Sequence, residues 1–480
     1  MASAKEFFEK NKIWLVGAGA GVVVLGLTAG LIAVLLSGGR EPLPVDSALS
    51  SEISAPVIGP ADSEGSETDP SEKEESTMSI TDQGTTTQKP TSSATVTKST
   101  SGSTTAANVS PVYKEYTKYN LDTWMTPIWK GNVVYNESLM FIPNAKTHEM
   151  ESAPLLYVPD KILSVRDAAL EEVYEEGRDY VVENGCIKLT ENSRIASWDY
   201  DDYYRTEPAS VPIGSVRAPG RYINYAAGKV YAEMQIAVTY THKGEWSGTK
   251  PQYAGSSLSG TITKLKNKQP LTIVYYGDSI MTGCEATSTH KIAPNMPIFT
   301  DMVTAKLKSA YGYNNITAYN TAVGGWTSED GLNGNANDKD HPGGVHERVT
   351  KYNPDLVVIG FGMNIGKHGA LDQYEQDIRD MIADVRKQNP NAEFLLVSTT
   401  LPNPDCNGWT SNQPYFQQSL KEIVKDTKGT ALVPMTSIHQ YLLQHKRYDD
   451  MNGNGVNHPN DFLARVYGQA ICQTLIENLD

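Results

Sequence analysis

The chain has 480 residues, more than one ordinary core accommodates, so at least two folded parts plus accessory segments are expected. Its formal net charge of −15 argues against a nucleic-acid binder, which needs a basic surface. Much of that charge is local: residues 41–108 hold eleven acidic residues against three lysines.

Residues 1–12 carry Lys5, Lys10 and Lys12, and Ile13 to Leu36 contains no charged residue. As a helix that apolar stretch spans roughly 36 Å, enough to cross a bilayer. A cleavable signal peptide has a shorter apolar region, about 7–15 residues, followed by a small-residue cleavage site. Leu-Leu-Ser-Gly-Gly-Arg fits such a site poorly, so an uncleaved transmembrane anchor over 13–36 is expected ahead of a secreted, cleaved form. The lysines precede the span and only Arg40 follows closely, which places residues 1–12 in the cytoplasm and the bulk of the chain outside the cell membrane.

Residues 37–110 are rich in Ser, Thr, Glu and Pro, and no aromatic residue occurs between Trp14 and Tyr113. Too little apolar surface is available to offset ordering entropy, so a disordered stalk is expected. From 111 to 262 the pattern becomes β. Val230, Ala232, Met234, Ile236, Val238 and Tyr240 alternate at strand period, and Asn184-Gly185 separates two β-prone runs, a hairpin signal. A short helix is expected near Asp167–Glu176. The region reads as a β-sandwich or jelly roll. It holds 15 of the 26 tyrosines, which suit strands and can also stack on sugar rings.

Across 263–480 strands and helices alternate. Apolar runs at Leu271–Tyr276, Ile316–Val323, Leu356–Phe361, Phe394–Ser398 and Ala431–Pro434 are separated by helical stripes, the clearest being Leu371, Tyr374, Ile378, Ile382 and Val385. Such alternation predicts an α/β fold, a parallel sheet covered on both faces, with chemistry beyond the carboxyl ends of its strands. The first strand runs into Gly277-Asp278-Ser279, the second into Gly324-Gly325-Trp326, and the third into Gly362-Met363-Asn364. His458 stands in a polar loop, Asn454 to Asp461, just before the last helix. Cys284 and Cys406 fall in loops of the same region and can be bridged or free; the spacing of the four cysteines matches no zinc pattern.

In this order the four features resemble the blocks of the SGNH (GDSL-type) hydrolase family over about residues 271–480. The resemblance implies a flavodoxin-like three-layer domain. It implies Ser279 as nucleophile and His458 as general base, with Ser279, Gly325 and Asn364 forming an oxyanion hole, and no metal or cofactor. The chain departs from the family at Ile365, where an Asp often follows the block-three Asn, and at Gly455, where an acid usually stands three residues before the His. His458 is therefore left to another acid, a backbone carbonyl or no partner; Asp450 is the nearest upstream acid, with Asp449 beside it. A β-region ahead of the hydrolase domain is similar in layout to two-domain carbohydrate acetylesterases.

The expected function is a cell-surface serine esterase removing O-acetyl groups from a poly- or oligosaccharide, with Trp326 and Trp409 as candidate sugar-stacking residues. A surface O-acetyltransferase uses the same site with a different acceptor, and a non-catalytic glycan-binding protein is the reading without chemistry.

Overall fold

The computed structural model describes residues 14–18, 21–25, 119–364 and 371–479. Of the segments read as membrane anchor and stalk, only Trp14–Ala18 and Gly21–Leu25 are among them. They pair as antiparallel strands where a helix is expected, in keeping with the consecutive valines at 22–24. Among the described residues no helix is long and apolar enough to cross a membrane.

Residues 119–262 are β-rich and antiparallel. Their main sheet places β3 (Gln235–His242) between β1 (Val133–Met140) and β2 (Pro159–Asp167). A second sheet joins Ala153–Pro154 to the hairpin Tyr180–Glu183/Cys186–Leu189, and Tyr204–Arg205 pairs with Tyr222–Ile223. The hairpin turns through Asn184 and Gly185, both at positive φ (52° and 79°), as an Asn-Gly pair allows. Two local expectations fail. Asp167–Glu176 is not helical, because Asp167 Oδ1 accepts the amides of Glu171 (2.7 Å) and Glu172 (2.9 Å) and folds the chain back onto β2. The strand expected from Val230 starts only at Gln235, since Lys229–Ala232 forms one helical turn that buries Tyr231.

The remaining described residues form a five-stranded parallel sheet: β4 (Leu271–Gly277), β5 (Ile316–Asn320), β6 (Leu356–Gly360), β7 (Glu393–Val397) and β8 (Thr430–Val433), in the order β5-β4-β6-β7-β8. That is the flavodoxin-like order. Alternation along β4 sorts its residues to two cores. Ile273 and Tyr275 join the core with Phe299, Val303 and Leu307 of α1 (Phe299–Tyr311) and much of α4 (Asp461–Leu475). Val274 and Tyr276 join the core with Tyr374, Ile378 and Ile382 of α2 (Leu371–Gln388) and Phe416 and Leu420 of α3 (Gln413–Asp426). Helices on both faces make three layers.

The first of these cores does not stop at the parallel-sheet part. It runs on through Val134, Leu139, Val165 and Tyr240 of the β-region, so one apolar interior holds both parts. A fully buried ion pair crosses the same boundary: Lys446 Nζ lies 2.5 Å from Glu137 Oε1, and Tyr240 Oη (2.7 Å) and the Leu156 amide (2.8 Å) donate to the same carboxylate. Burying two charges is tolerable only with this degree of satisfaction.

Candidate active site

The site gathers at the carboxyl ends of β4, β5 and β6, and the local sequence explains why. At the end of β4, a Cβ on Gly277 would stand 2.2 Å from the Gly360 carbonyl oxygen, so glycine is required there by close strand approach. Asp278 then caps the four-residue helix Ser279–Thr282, its Oδ1 accepting the Ile280 amide at 3.0 Å. Its Oδ2 accepts the Met363 amide at 3.2 Å and ties the first block to the third. Burial pushes the Asp278 carboxyl up to about 6, against the backbone donors of Met363, Ile280 and Gly362 and the nearby His458, which favour the carboxylate.

The other blocks close on this turn. The Val323 amide bonds the Gly277 carbonyl at 3.0 Å, and a Cβ on Gly324 would lie 3.8 Å from Ser279 Cβ. Gly325 follows at φ +78°. Asn364 Nδ2 donates to the Trp326 carbonyl at 2.9 Å, joining block three to block two and leaving its second amide hydrogen.

His458 arrives from the opposite end of the chain in a loop built on asparagines. Asn454 Oδ1 accepts the amides of Val456 (2.9 Å), Asn457 (2.9 Å) and His458 (3.1 Å). Asn452 Oδ1 accepts those of Asn454 (2.7 Å) and Gly455 (2.6 Å). From this frame His458 Nε2 meets Ser279 Oγ at 2.9 Å, and Nδ1 meets Glu285 Oε1 at 3.0 Å. A carboxylate cannot donate, so Nδ1 carries the ring hydrogen and Nε2 is free to accept from Ser279.

Asp450 is not the partner of His458. Its buried carboxylate accepts the Met140 amide at 2.9 Å and pairs with Arg447 at 2.7 and 3.1 Å, because the turn Tyr448–Met451 faces β1. Asp449 is likewise engaged by Arg217 at 3.0 Å and by Tyr203 Oη. Gly455, where an acid is usual, has φ +87°, and a Cβ there would stand 2.3 Å from Tyr231 Oη and 2.7 Å from the Asn224 carbonyl oxygen. The β-region occupies the space an aspartate needs.

The carboxylate that meets His458 comes instead from the loop that follows Ser279, six residues on. One signal was available: between Leu271 and His290, Asp278 and Glu285 are the only acids and no Lys or Arg intervenes. Of the two tryptophans, Trp326 is buried, with Nε1 bonded to Asp338 Oδ2 at 3.1 Å and the Arg348 guanidinium over its ring; packing fixes it. Trp409 is half-buried against a small cluster that includes Cys406 and Val456. All four cysteines are free, so Cys284 and Cys406 are not bridged; Cys284 Sγ lies 3.0 Å from Thr282 Oγ1, and Cys406 Sγ lies 3.6 Å from the Gly455 carbonyl.

The GDSL-like lipase/acylhydrolase family model matches residues 275–465, from the strand that leads into Ser279 to the last helix. This part of the chain is a GDSL-like acylhydrolase domain. No curated protein matches the chain. Among solved structures, the chain is similar to an acetylxylan esterase from Geobacillus stearothermophilus, at 16% identity over 42% of this chain and 92% of that one, with a TM-score of 0.33. It is also similar to an alpha/beta hydrolase enzyme from the metagenome of Lake Arreo, Spain, at 17% identity over 42% and 96% of the two chains, TM-score 0.33. A two-domain esterase active on acetylated mannans is similar over 47% of this chain and 56% of its own, at 17% identity and a TM-score of 0.34.

Proposed function

We propose that the chain is a cell-surface serine esterase that removes O-acetyl groups from a carbohydrate through Ser279, His458 and Glu285. The observation that carries the chemistry is the continuous hydrogen-bond path from Ser279 Oγ through both ring nitrogens of His458 to a buried carboxylate.

In the proposed reaction Ser279 Oγ attacks the ester carbonyl as its proton passes to His458 Nε2. The imidazolium keeps its Nδ1 hydrogen on Glu285 Oε1, which stabilises the charge and holds the ring orientation. The Ser279 and Gly325 amides and the Asn364 side chain face the oxyanion; losing one such donor costs on the order of 3–4 kcal/mol of barrier. Collapse expels the alcohol, which takes the proton from Nε2. Water then gives a proton to the same nitrogen, attacks the acyl-enzyme and releases acetate, and the proton returns to Ser279.

Three features support a carbohydrate ester at the cell surface: the apolar stretch at 13–36, the long Ser/Thr/Glu/Pro segment that follows, and the aromatic surface beside the His458 loop. Trp409 and Tyr225 are both half-buried on the cluster that contains Val456, two residues before His458, and planar faces of this kind stack on sugar rings.

Ser279→Ala should abolish release of acetate from acetylated xylo- or manno-oligosaccharides while leaving the unfolding temperature near that of the parent. Undiminished acetate release by this variant excludes the reading. Acetate appearing on an added glycan instead of in solution identifies the transferase.

A further inference from the structure

Glu285 carries more partners than a triad acid needs. Its side chain is 3% exposed, and Oε1 is taken by His458. Oε2 accepts the Gly228 amide at 2.8 Å and meets His290 Nε2 at 3.0 Å. Opposite a carboxylate this nitrogen carries the ring hydrogen, so His290 donates. A buried carboxylate is stable only when its lone pairs are met, and a group bonded on one oxygen alone keeps torsional freedom. Two donors on Oε2, approaching from different parts of the chain, remove that freedom and present Oε1 to His458.

The two donors are interlocked. Gly228 belongs to the β-region loop before the Tyr231 turn and has φ +70°. His290 packs directly on it: a Cβ at position 228 would stand 2.8 Å from His290 Nδ1 and 2.9 Å from Cγ. The same loop is pinned to the histidine loop, with the Ala226 amide 3.3 Å from the Asn454 carbonyl and the Tyr231 ring beneath Gly455.

We propose that His290 is a positioning residue of this site, sharing Glu285 with His458 and, with the Gly228 amide of the β-region, fixing the carboxylate from the side away from the catalytic imidazole. The inference rests on the esterase reading for its kinetic consequence, but its geometric content stands apart from it.

The test uses the full chain with His290→Ala, His290→Gln and Gly228→Ala. With p-nitrophenyl acetate, His290→Ala should lower kcat about tenfold or more, by loosening the acid of the triad, while KM stays within about twofold. His290→Gln keeps an N–H donor of similar reach and should recover most of the loss. Gly228→Ala drives a Cβ into the His290 ring, so its effect should be smaller in the His290→Ala background than alone. Independently of turnover, the low-field proton NMR resonance of His458 Nδ1–H should shift or broaden in His290→Ala and return in His290→Gln. A folded His290→Ala with parental kcat and an unmoved resonance overturns the proposal. So does a His290→Gln variant as impaired as the alanine, since packing alone would then explain the residue. Loss of all turnover in the parent chain sinks the esterase reading, and the resonance still decides the positioning role.

Discussion

Replacing Glu285 by glutamine tests the proposed triad at its least expected member. The shape is kept and only the charge and one acceptor are lost. The consequence turns on which way the new amide points. At the Oε2 position two donors converge, the Gly228 amide at 2.8 Å and His290 Nε2 at 3.0 Å. An NH2 group there would face two hydrogens, so the amide oxygen takes that position and the nitrogen is forced toward His458 Nδ1, which the carboxylate oxygen now meets at 3.0 Å. Nδ1 then becomes an acceptor, the ring hydrogen moves to Nε2, and Ser279 loses its base. The wrong tautomer in a Ser-His-acid triad lowers kcat by about 10⁴, or about 5 kcal/mol of barrier. The assay is kcat on p-nitrophenyl acetate, beside an unfolding curve to show that Glu285→Gln is folded. A kcat within about tenfold of the parent refutes the reasoning, because His458 would then not depend on the Glu285 charge.

Gly455→Asp, which restores the acid usual three residues before the histidine, should lower both the unfolding temperature and kcat, because its Cβ meets Tyr231 Oη and the Asn224 backbone. It should not rescue Glu285→Gln, and recovery of activity in that double variant contradicts the structure. Asp278 predicts a pH effect on stability. Its folded value of about 6 lies above the unfolded value of about 3.9, so between those values the folded chain keeps a proton that the unfolded chain releases. Its contribution to stability is greatest below pH 4 and falls as pH rises to 6, by up to about 3 kcal/mol. In Asp278→Asn the urea-derived stability should fall less across that window; identical slopes would exclude this origin.

Much of the acylhydrolase fold was legible because its signals are local. Each of the five parallel strands is a short apolar run between helical stripes, and Tyr374, Ile378, Ile382 and Val385 of the α2 stripe are buried in one core. The β-region was less legible. Its turns are set by side chains, as at Asp167, and its apolar residues share one interior with the acylhydrolase domain, so period and composition describe it only in part.

At the site, the order of blocks along the chain pointed to Ser279, Gly325, Asn364 and His458, because consecutive parallel strands bring their carboxyl ends to one edge whatever their distance in sequence. Sequence proximity also suggested Asp450, and there it misled: a carboxylate eight residues from His458 is consumed by Arg447 and β1. Only the tertiary structure decided which acid faces the imidazole. Glu285 and His458 are 173 residues apart, and Tyr231 and Gly228 of the β-region determine that no acid fits beneath Gly455 and that Glu285 is held in place. A hydrogen bond depends on where side chains end after packing, and that depends on three chain segments at once.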